Sequence, residues 1–151
     1  MKDSGADFFL DYVDFGLVTT YGISSEDYLP GLKGLLTEAE KSNPDIILLE
    51  CGGDVMWANI PSLLKNKEVM KNVKCATMCS TYYMVALGAN YFTRDLCIDV
   101  PIYFNVPIEK ESFYRKSTFE NLVHSKVYNI MNKDEMSHLT DKLLCDIEVK
   151  K

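Results

Sequence analysis

The sequence has little positive charge and no long hydrophobic run. Sixteen lysine and arginine residues are outnumbered by 22 aspartate and glutamate residues, so the formal net charge of the 151 residues is −6. Because nucleic-acid phosphates are bound by clustered basic side chains, this balance argues against a nucleic-acid partner. No apolar run approaches the roughly 20 residues of a membrane-spanning helix, and the polar start lacks a signal-peptide core. We therefore expect neither nucleic acid nor a membrane among the partners.

Histidine is scarce, with two residues, and no C-x-x-C pair occurs. The five cysteines are an odd number, and four of them lie in or beside apolar runs, which predicts buried free thiols in a reducing compartment. We therefore expect a cytoplasmic protein. Cys51 is the candidate thiol nucleophile, but its base would have to be His124 or His138, both in predicted C-terminal helices. A Cys-His enzyme is therefore disfavoured.

Two nucleotide-binding signatures are missing. The sequence contains neither the phosphate loop G-x-x-x-x-G-K-[ST] nor the dinucleotide fingerprint G-x-G-x-x-G. Gly31 and Gly34 fall inside a predicted helix, and Lys116-Ser117 lacks the preceding glycines. The first absence argues against independent ATP hydrolysis. The second weakens the case for a Rossmann-like small-molecule enzyme, which remains one alternative.

The sequence does contain an alternation of strand and helix patterns. Predicted strands lie near residues 12–17, 46–50, 73–78, 102–106 and 126–130. Predicted helices begin near residues 24–25, 59–61, 65, 80–81, 112 and 132. This order predicts one α/β domain over residues 1–151, a three-layer sandwich with a largely parallel central sheet of about five strands.

The run of four aliphatic residues at 46–49 is typical of a strand buried on both faces. Glu50 falls at its carboxyl end, the edge where open α/β sheets bind ligands. Gly52 and Gly53 allow a ligand or a backbone segment to approach closely, and Asp54 adds a second carboxylate. We predict that Glu50 and Asp54 bind Mg²⁺ beside a substrate phosphate. The alternative is that Asp54 caps the next segment and Glu50 is solvated.

Hydroxyl-rich loops and one tryptophan are the remaining candidates. Thr19 and Thr20 follow a predicted strand and could contact phosphate or metal, or form an ordinary turn. Ser80 opens a predicted helix, where backbone N–H groups suit an anion, although a simple helix cap is the alternative. Trp57 follows the glycine turn, where it lines a pocket or a dimer contact, or serves as a buried anchor.

Between residues 45 and 54 the sequence resembles P-loop proteins of the dethiobiotin synthetase and cobyrinic acid amidase group. In that group a buried strand ends in a glutamate that coordinates Mg²⁺ beside the nucleotide phosphates, and a glycine-rich turn follows. The matching residues are Glu50, Gly52 and Gly53. The resemblance extends over about residues 7 to 105, where Thr19 and Thr20 match a switch-like loop.

The resemblance implies a Mg²⁺-linked site for ATP or GTP. Because the phosphate loop is missing, it implies an incomplete or degenerate domain. One form is a fragment lacking an N-terminal strand and phosphate loop, which the start just before a predicted strand favours. A non-enzymatic interaction or scaffold domain, which associates through Trp57 and other aromatic side chains and forms a homo-oligomer, is the alternative from another class. The sequence identifies no catalytic residue.

Overall fold

A computed structural model describes residues 5–52, 55–81, 83–107 and 116–147. The chain forms two compact units, Met1–Asn66 and Lys67–Lys151, and each is described by itself. The mixed α/β class is confirmed, because helices alternate with parallel strands in the C-terminal unit. In the described ranges, no helix is both long and apolar enough to cross a membrane.

The N-terminal unit is built around one long helix. Its elements are a 3₁₀ helix at Tyr12–Phe15, α1 at Ser25–Lys41 and α2 at Ile60–Lys65. α1 begins where Ser24 caps it, since the Ser24 Oγ accepts the Asp27 N–H at 3.1 Å and donates to the Asp27 carboxylate at 2.7 Å. The cap that the sequence predicts at residues 24–25 is therefore confirmed.

Two glycines let the 3₁₀ helix approach α1 closely. A Cβ at Gly31 would lie 2.6 Å from Cδ1 of Leu17, and a Cβ at Gly34 would lie 3.1 Å from Cδ1 of Phe15. Leu17 is buried against this smooth side of the helix. The glycine spacing therefore serves helix packing.

The C-terminal unit is a parallel sheet with helices between its strands. Its elements are α3 at Lys67–Met70, β1 at Ala76–Cys79, α4 at Tyr83–Asp95, β2 at Ile102–Val106, α5 at Lys116–Val123, β3 at Val127–Asn129 and α6 at Lys133–Ile147. The strand order is β1-β2-β3. Met78 lies opposite Phe104, which lies opposite Val127.

Helices cover both faces of this sheet. On one face Phe104 packs with Ala86 of α4 and Phe119 of α5, and all three are buried. On the other face Tyr103 and Tyr128 pack against Leu139 of α6. The alternation follows from the pleat, which points successive side chains to opposite faces.

The described sheet has three strands, and the prediction of about five was wrong. Residues 12–17 do not form a strand, because Asp11 and Asp14 make a capping box that favours a helical turn. Gly16, at φ 81°, then ends that turn.

The predicted strand at residues 46–50 has no regular secondary structure. Its aliphatic side chains are exposed rather than buried: Ile46 41%, Ile47 41%, Leu48 80% and Leu49 39%. A strand needs a hydrogen-bonded neighbour, and none of the described residues of the N-terminal unit forms one. Strand propensity alone therefore does not order this segment.

Candidate functional site

The sequence-predicted magnesium site lies in the N-terminal unit, and the structure describes part of it. Glu50 is exposed and follows no strand, so the expected position at a sheet edge was wrong. An added Cβ on Gly52 would meet none of the described atoms within 4 Å. Gly53 and Asp54 lie outside the described residues. Within the described ranges no three His, Cys, Asp or Glu side chains are grouped to hold a metal.

The two threonines of the predicted phosphate-contacting loop form local hydrogen bonds. Thr19 Oγ1 accepts the Tyr21 backbone N–H at 3.0 Å, which makes a hydroxyl-stabilised turn. The Thr20 carbonyl accepts from the Asn59 side-chain amide at 3.0 Å, and the Ile23 carbonyl accepts from the same amide at 3.1 Å. Asn59 therefore links this loop, through two hydrogen bonds, to the segment that precedes α2.

An open groove of about 720 Å³ lies along the 3₁₀ helix and the start of α1. Its wall includes Leu17, Val18 and Thr19 from one side and Asp27 and Pro30 from the helix. Thr19 is the one sequence-predicted site residue in this wall. The groove is mostly apolar, and Asp27 is already engaged in the helix cap.

An exposed aromatic pair lies in the same unit. The rings of Tyr21 and Trp57 stack with centroids 5.8 Å apart and an interplanar angle of 29°. Tyr21 is 61% exposed and Trp57 is 54% exposed. The interpretation of Trp57 as a buried anchor was therefore wrong.

The thiol of Cys51 is poorly suited to act as a nucleophile. Desolvation raises its pKa, and the Glu50 carboxylate raises it further, although the residue as a whole is exposed. The reactive thiolate is therefore disfavoured at neutral pH. Cys51 also affects Tyr28 on α1. Burial, with a further contribution from Cys51, raises the pKa of Tyr28 to about 12.

All five cysteines are free, but most are not buried. Cys75 is half-buried, and the other four are exposed: Cys51, Cys79, Cys97 and Cys145. The expected burial was wrong because apolar neighbours in sequence do not ensure that a side chain faces the core.

Polar groups collect at the carboxyl edge of the C-terminal sheet. Ser80 follows β1, is buried, and donates its backbone N–H to the Asn105 carbonyl at 2.8 Å. Asn105 near the end of β2 is 5% exposed, and its amide nitrogen lies 3.9 Å from the Cys79 sulfur. Its Oδ1 is buried and finds no hydrogen-bond partner among the residues that the structure describes.

A charged pair lies where the two following helices begin. Lys116 Nζ lies 2.6 Å from the Glu135 carboxylate, which also accepts the Asn129 backbone N–H at 2.9 Å. Desolvation acts to raise the pKa of Glu135, but the hydrogen bonds from Lys116 and Asn129 outweigh it and lower that pKa. The pair joins the start of α5 to the start of α6.

Sequence reasoning identified Ser80 but missed Asn105. The available signal was an amide side chain inside the β-rich run Ile102–Val106, whose other side chains are apolar or aromatic. Glu50, Thr19 and Thr20 belong to the N-terminal unit, whereas Ser80 and Asn105 belong to the C-terminal unit. In comparisons with known proteins, no family model, no curated protein and no solved structure matched this chain.

Proposed function

We propose that the chain is a nucleotide-binding α/β domain that binds its ligand at the carboxyl edge of the C-terminal sheet. Open parallel sheets with helices between their strands bind ligands at this edge. The supporting observation is the buried Oδ1 of Asn105, which has no hydrogen-bond partner in the part of the chain that the structure describes. The buried Ser80 lies beside it, so the edge holds polar groups where the rest of the sheet holds a hydrophobic core.

The chemistry of Asn105 fits a nucleoside. A buried acceptor without a donor costs about 1–3 kcal/mol, which a ligand N–H or O–H would recover. An asparagine amide offers one acceptor and two donors, the pattern that matches the exocyclic amino group and ring nitrogen of adenine. Cys79, whose sulfur lies 3.9 Å from the Asn105 amide nitrogen, is exposed.

A Mg²⁺ site at the carboxylates predicted from sequence is proposed separately, within the N-terminal unit. Glu50 and Asp54 are the proposed Mg²⁺ ligands, and carboxylate oxygens are the protein ligands that Mg²⁺ prefers. Glu50 is exposed and therefore accessible to a hydrated ion.

Isothermal titration with ATP, GTP and NAD, with and without Mg²⁺, tests the proposal. Asn105→Leu should weaken nucleotide binding about tenfold or more, because a missing hydrogen bond at a buried site costs at least about 1.4 kcal/mol. The same substitution removes an unsatisfied polar group, so thermal stability should stay equal or rise. Loss of binding together with loss of stability would instead indicate damage to the sheet.

Glu50→Gln is the matched control for the metal. It should weaken the binding of Mg²⁺ titrated alone and leave Mg²⁺-free nucleotide binding unchanged, since it removes charge at constant volume. Binding that depends on Glu50 but not on Asn105 would place the ligand in the N-terminal unit. Absence of binding by the wild-type protein would reject the nucleotide proposal.

The exposed aromatic pair favours a second candidate, an association domain. Tryptophan and tyrosine are enriched in protein interfaces, and Tyr21 and Trp57 are both more than half exposed. Trp57 is the single tryptophan, so its fluorescence reports on this surface alone. A blue shift of the emission on association, abolished by Tyr21→Ala and retained in Tyr91→Ala, would support this candidate. Tyr91 is 75% exposed and lies on α4 of the C-terminal unit, so it is a suitable control.

A further inference from the structure

One thiol of the C-terminal unit lies against a buried amide. Cys79 is the last residue of β1, and its sulfur lies 3.9 Å from the side-chain nitrogen of Asn105 on β2. The two residues are direct partners in the parallel ladder, so their side chains lie on the same face of the sheet. Cys79 is exposed, whereas Asn105 is 5% exposed. The pair therefore joins a solvent-exposed cysteine to a side-chain amide in the protein interior.

The hydrogen-bonding groups of this amide are poorly matched by a thiol. Its nitrogen donates to the Cys79 sulfur, which is a weak acceptor. Its Oδ1 is buried and has no hydrogen-bond partner in the ranges that the structure describes. A buried acceptor without a donor destabilises the folded state, and a thiol S–H is only a weak donor. The position beside the sulfur therefore suits a group that both donates and accepts strongly.

A sulfenic acid is such a group. It adds one hydroxyl to the sulfur, and a hydroxyl carries both a donor hydrogen and an acceptor oxygen. The nitrogen and the oxygen of one amide are bonded to the same carbon, so a single hydroxyl beside them can accept from Nδ2 and donate to Oδ1. The new atom is delivered covalently at Cys79, so it needs no separate binding pocket.

The surroundings of Cys79 also favour persistence of an oxidised sulfur. A sulfenic acid normally condenses with a nearby thiol to form a disulfide. Cys75 precedes Cys79 by four residues, about 13 Å along an extended chain, which is too far for a disulfide. Desolvation also raises the pKa of the Cys75 thiol, so the thiolate that would attack is disfavoured.

We propose that Cys79 is a site of modification by peroxide, at which Asn105 retains the sulfenic acid. The Cys79 thiolate attacks one oxygen of hydrogen peroxide, so that a sulfur–oxygen bond forms as the oxygen–oxygen bond breaks. The sulfur is oxidised by two electrons, and the second oxygen leaves as hydroxide, which takes up the proton of the thiol to give water. The site shares Asn105 with the proposed nucleotide site, but it does not rest on nucleotide binding.

Trapping with dimedone, which reacts with sulfenic acids, tests the retention. The full chain without nucleotide is treated briefly with hydrogen peroxide, the peroxide is removed by gel filtration, and dimedone is added after increasing delays. Mass spectrometry of peptides then measures the adduct at each cysteine. Trappable sulfenic acid should persist about tenfold longer at Cys79 than at Cys145, an exposed cysteine on α6. Absence of an adduct at Cys79, or equal decay at the two residues, overturns the proposal.

Asn105→Leu tests the role of the amide. The sulfenic acid at Cys79 should decay about tenfold faster in this variant, because both hydrogen bonds to the hydroxyl are lost. Decay at Cys145 should not change, which makes that residue an internal control in the same molecule. An unchanged lifetime at Cys79 in folded Asn105→Leu overturns the proposal, and if the variant does not fold, the comparison of the two cysteines in the wild type decides. No nucleotide is present, so this failure is distinct from a failure of the nucleotide titration.

Discussion

A glycine-to-alanine substitution should change the free energy of unfolding in opposite directions on α1 and on α4. A Cβ at Gly31 would lie 2.6 Å from Leu17, whereas a Cβ at Gly88 meets nothing within 4 Å among the described atoms. Gly31→Ala should therefore lower the free energy of unfolding by about 1–3 kcal/mol through overpacking. Gly88→Ala should raise it by up to about 1 kcal/mol, because alanine is the better helix former. Urea unfolding of both variants is the measurement, and a stabilising Gly31→Ala would contradict the packing of Leu17 on α1.

The lowered pKa of Glu135 makes stability depend on pH in a defined window. Its ordinary value is 4.5, and the hydrogen bonds from Lys116 and Asn129 lower the folded-state pKa below that. The carboxylate therefore stabilises the folded state above about pH 4.5, and this contribution is lost as the pH falls through the lower folded value. Glu135→Gln should cost about 1 kcal/mol at pH 7 and little in stronger acid. Thermal unfolding of the wild type and of Glu135→Gln should show stabilities that differ at pH 7 and converge in acid. An equal cost at all pH values would contradict the role of the Glu135 carboxylate.

Tyr28 gives the opposite pH dependence. Its pKa is raised to about 12, chiefly by burial, so its neutral form contributes stability that is complete below the ordinary value of 10.0. That contribution declines as the pH rises from 10 to 12. Absorbance titration of phenolate should show a late component that Tyr28→Phe reduces by one group, since burial also raises the pKa of Tyr83, Tyr103 and Tyr128. Tyr12→Phe, at a residue 40% exposed on the 3₁₀ helix, is the control and should leave the late component in place.

At the scale of secondary structure, the aliphatic residues 46–49 and the core helices should respond differently to truncation. Ile47→Ala should cost less than about 1 kcal/mol in dilute protein, since Ile47 is 41% exposed. Leu139→Ala on α6 should cost about 2–5 kcal/mol, because Leu139 is 2% exposed and would leave a cavity. Urea unfolding separates the two, and a core-sized cost at Ile47 would show that the segment is buried in solution.

Elements with local start and stop signals were predictable from sequence. Ser24 caps α1, and Asn132 caps α6 by accepting two backbone N–H groups at 3.0 and 3.2 Å. β2 was predicted at its observed bounds because Pro101 and Pro107 enclose a β-rich run. These signals act within a few residues, so the sequence alone is sufficient to show them.

Features that depend on distant residues were not predictable. Residues 46–49 carry strand propensity, yet whether they pair depends on a neighbouring strand elsewhere. The expected position of Glu50 at a sheet edge was wrong for the same reason, since it assumed that strand. Asn105 became a candidate only when the structure showed that its Oδ1 lacks a donor among the described residues. An unsatisfied acceptor is a property of the surroundings, and sequence patterns do not encode it.

At the scale of the whole molecule, the thiols should report the exposure of both units at once. Four cysteines are exposed and Cys75 is half-buried, so a colourimetric thiol reagent should titrate five groups without denaturant. Cys51 and Cys75 should react most slowly, because desolvation raises the pKa of both and reduces the reactive thiolate. Cys51→Ser and Cys75→Ser should each remove one slow component and leave the rest. Fewer than five titratable thiols would reveal a disulfide and contradict the free cysteines.

The sequential order of the sheet also bears on how fast the C-terminal unit folds. Each strand pairs with the strand that follows it in the chain, and the described residues place a helix between the members of each pair. The loops that must close are therefore short for a parallel sheet, which lowers the entropic barrier to each pairing. The unit can grow from either strand pair, because β2 is the shared middle strand. Stopped-flow refolding should accordingly be rapid for a parallel architecture, and substitutions in β2 should slow it more than substitutions in α3.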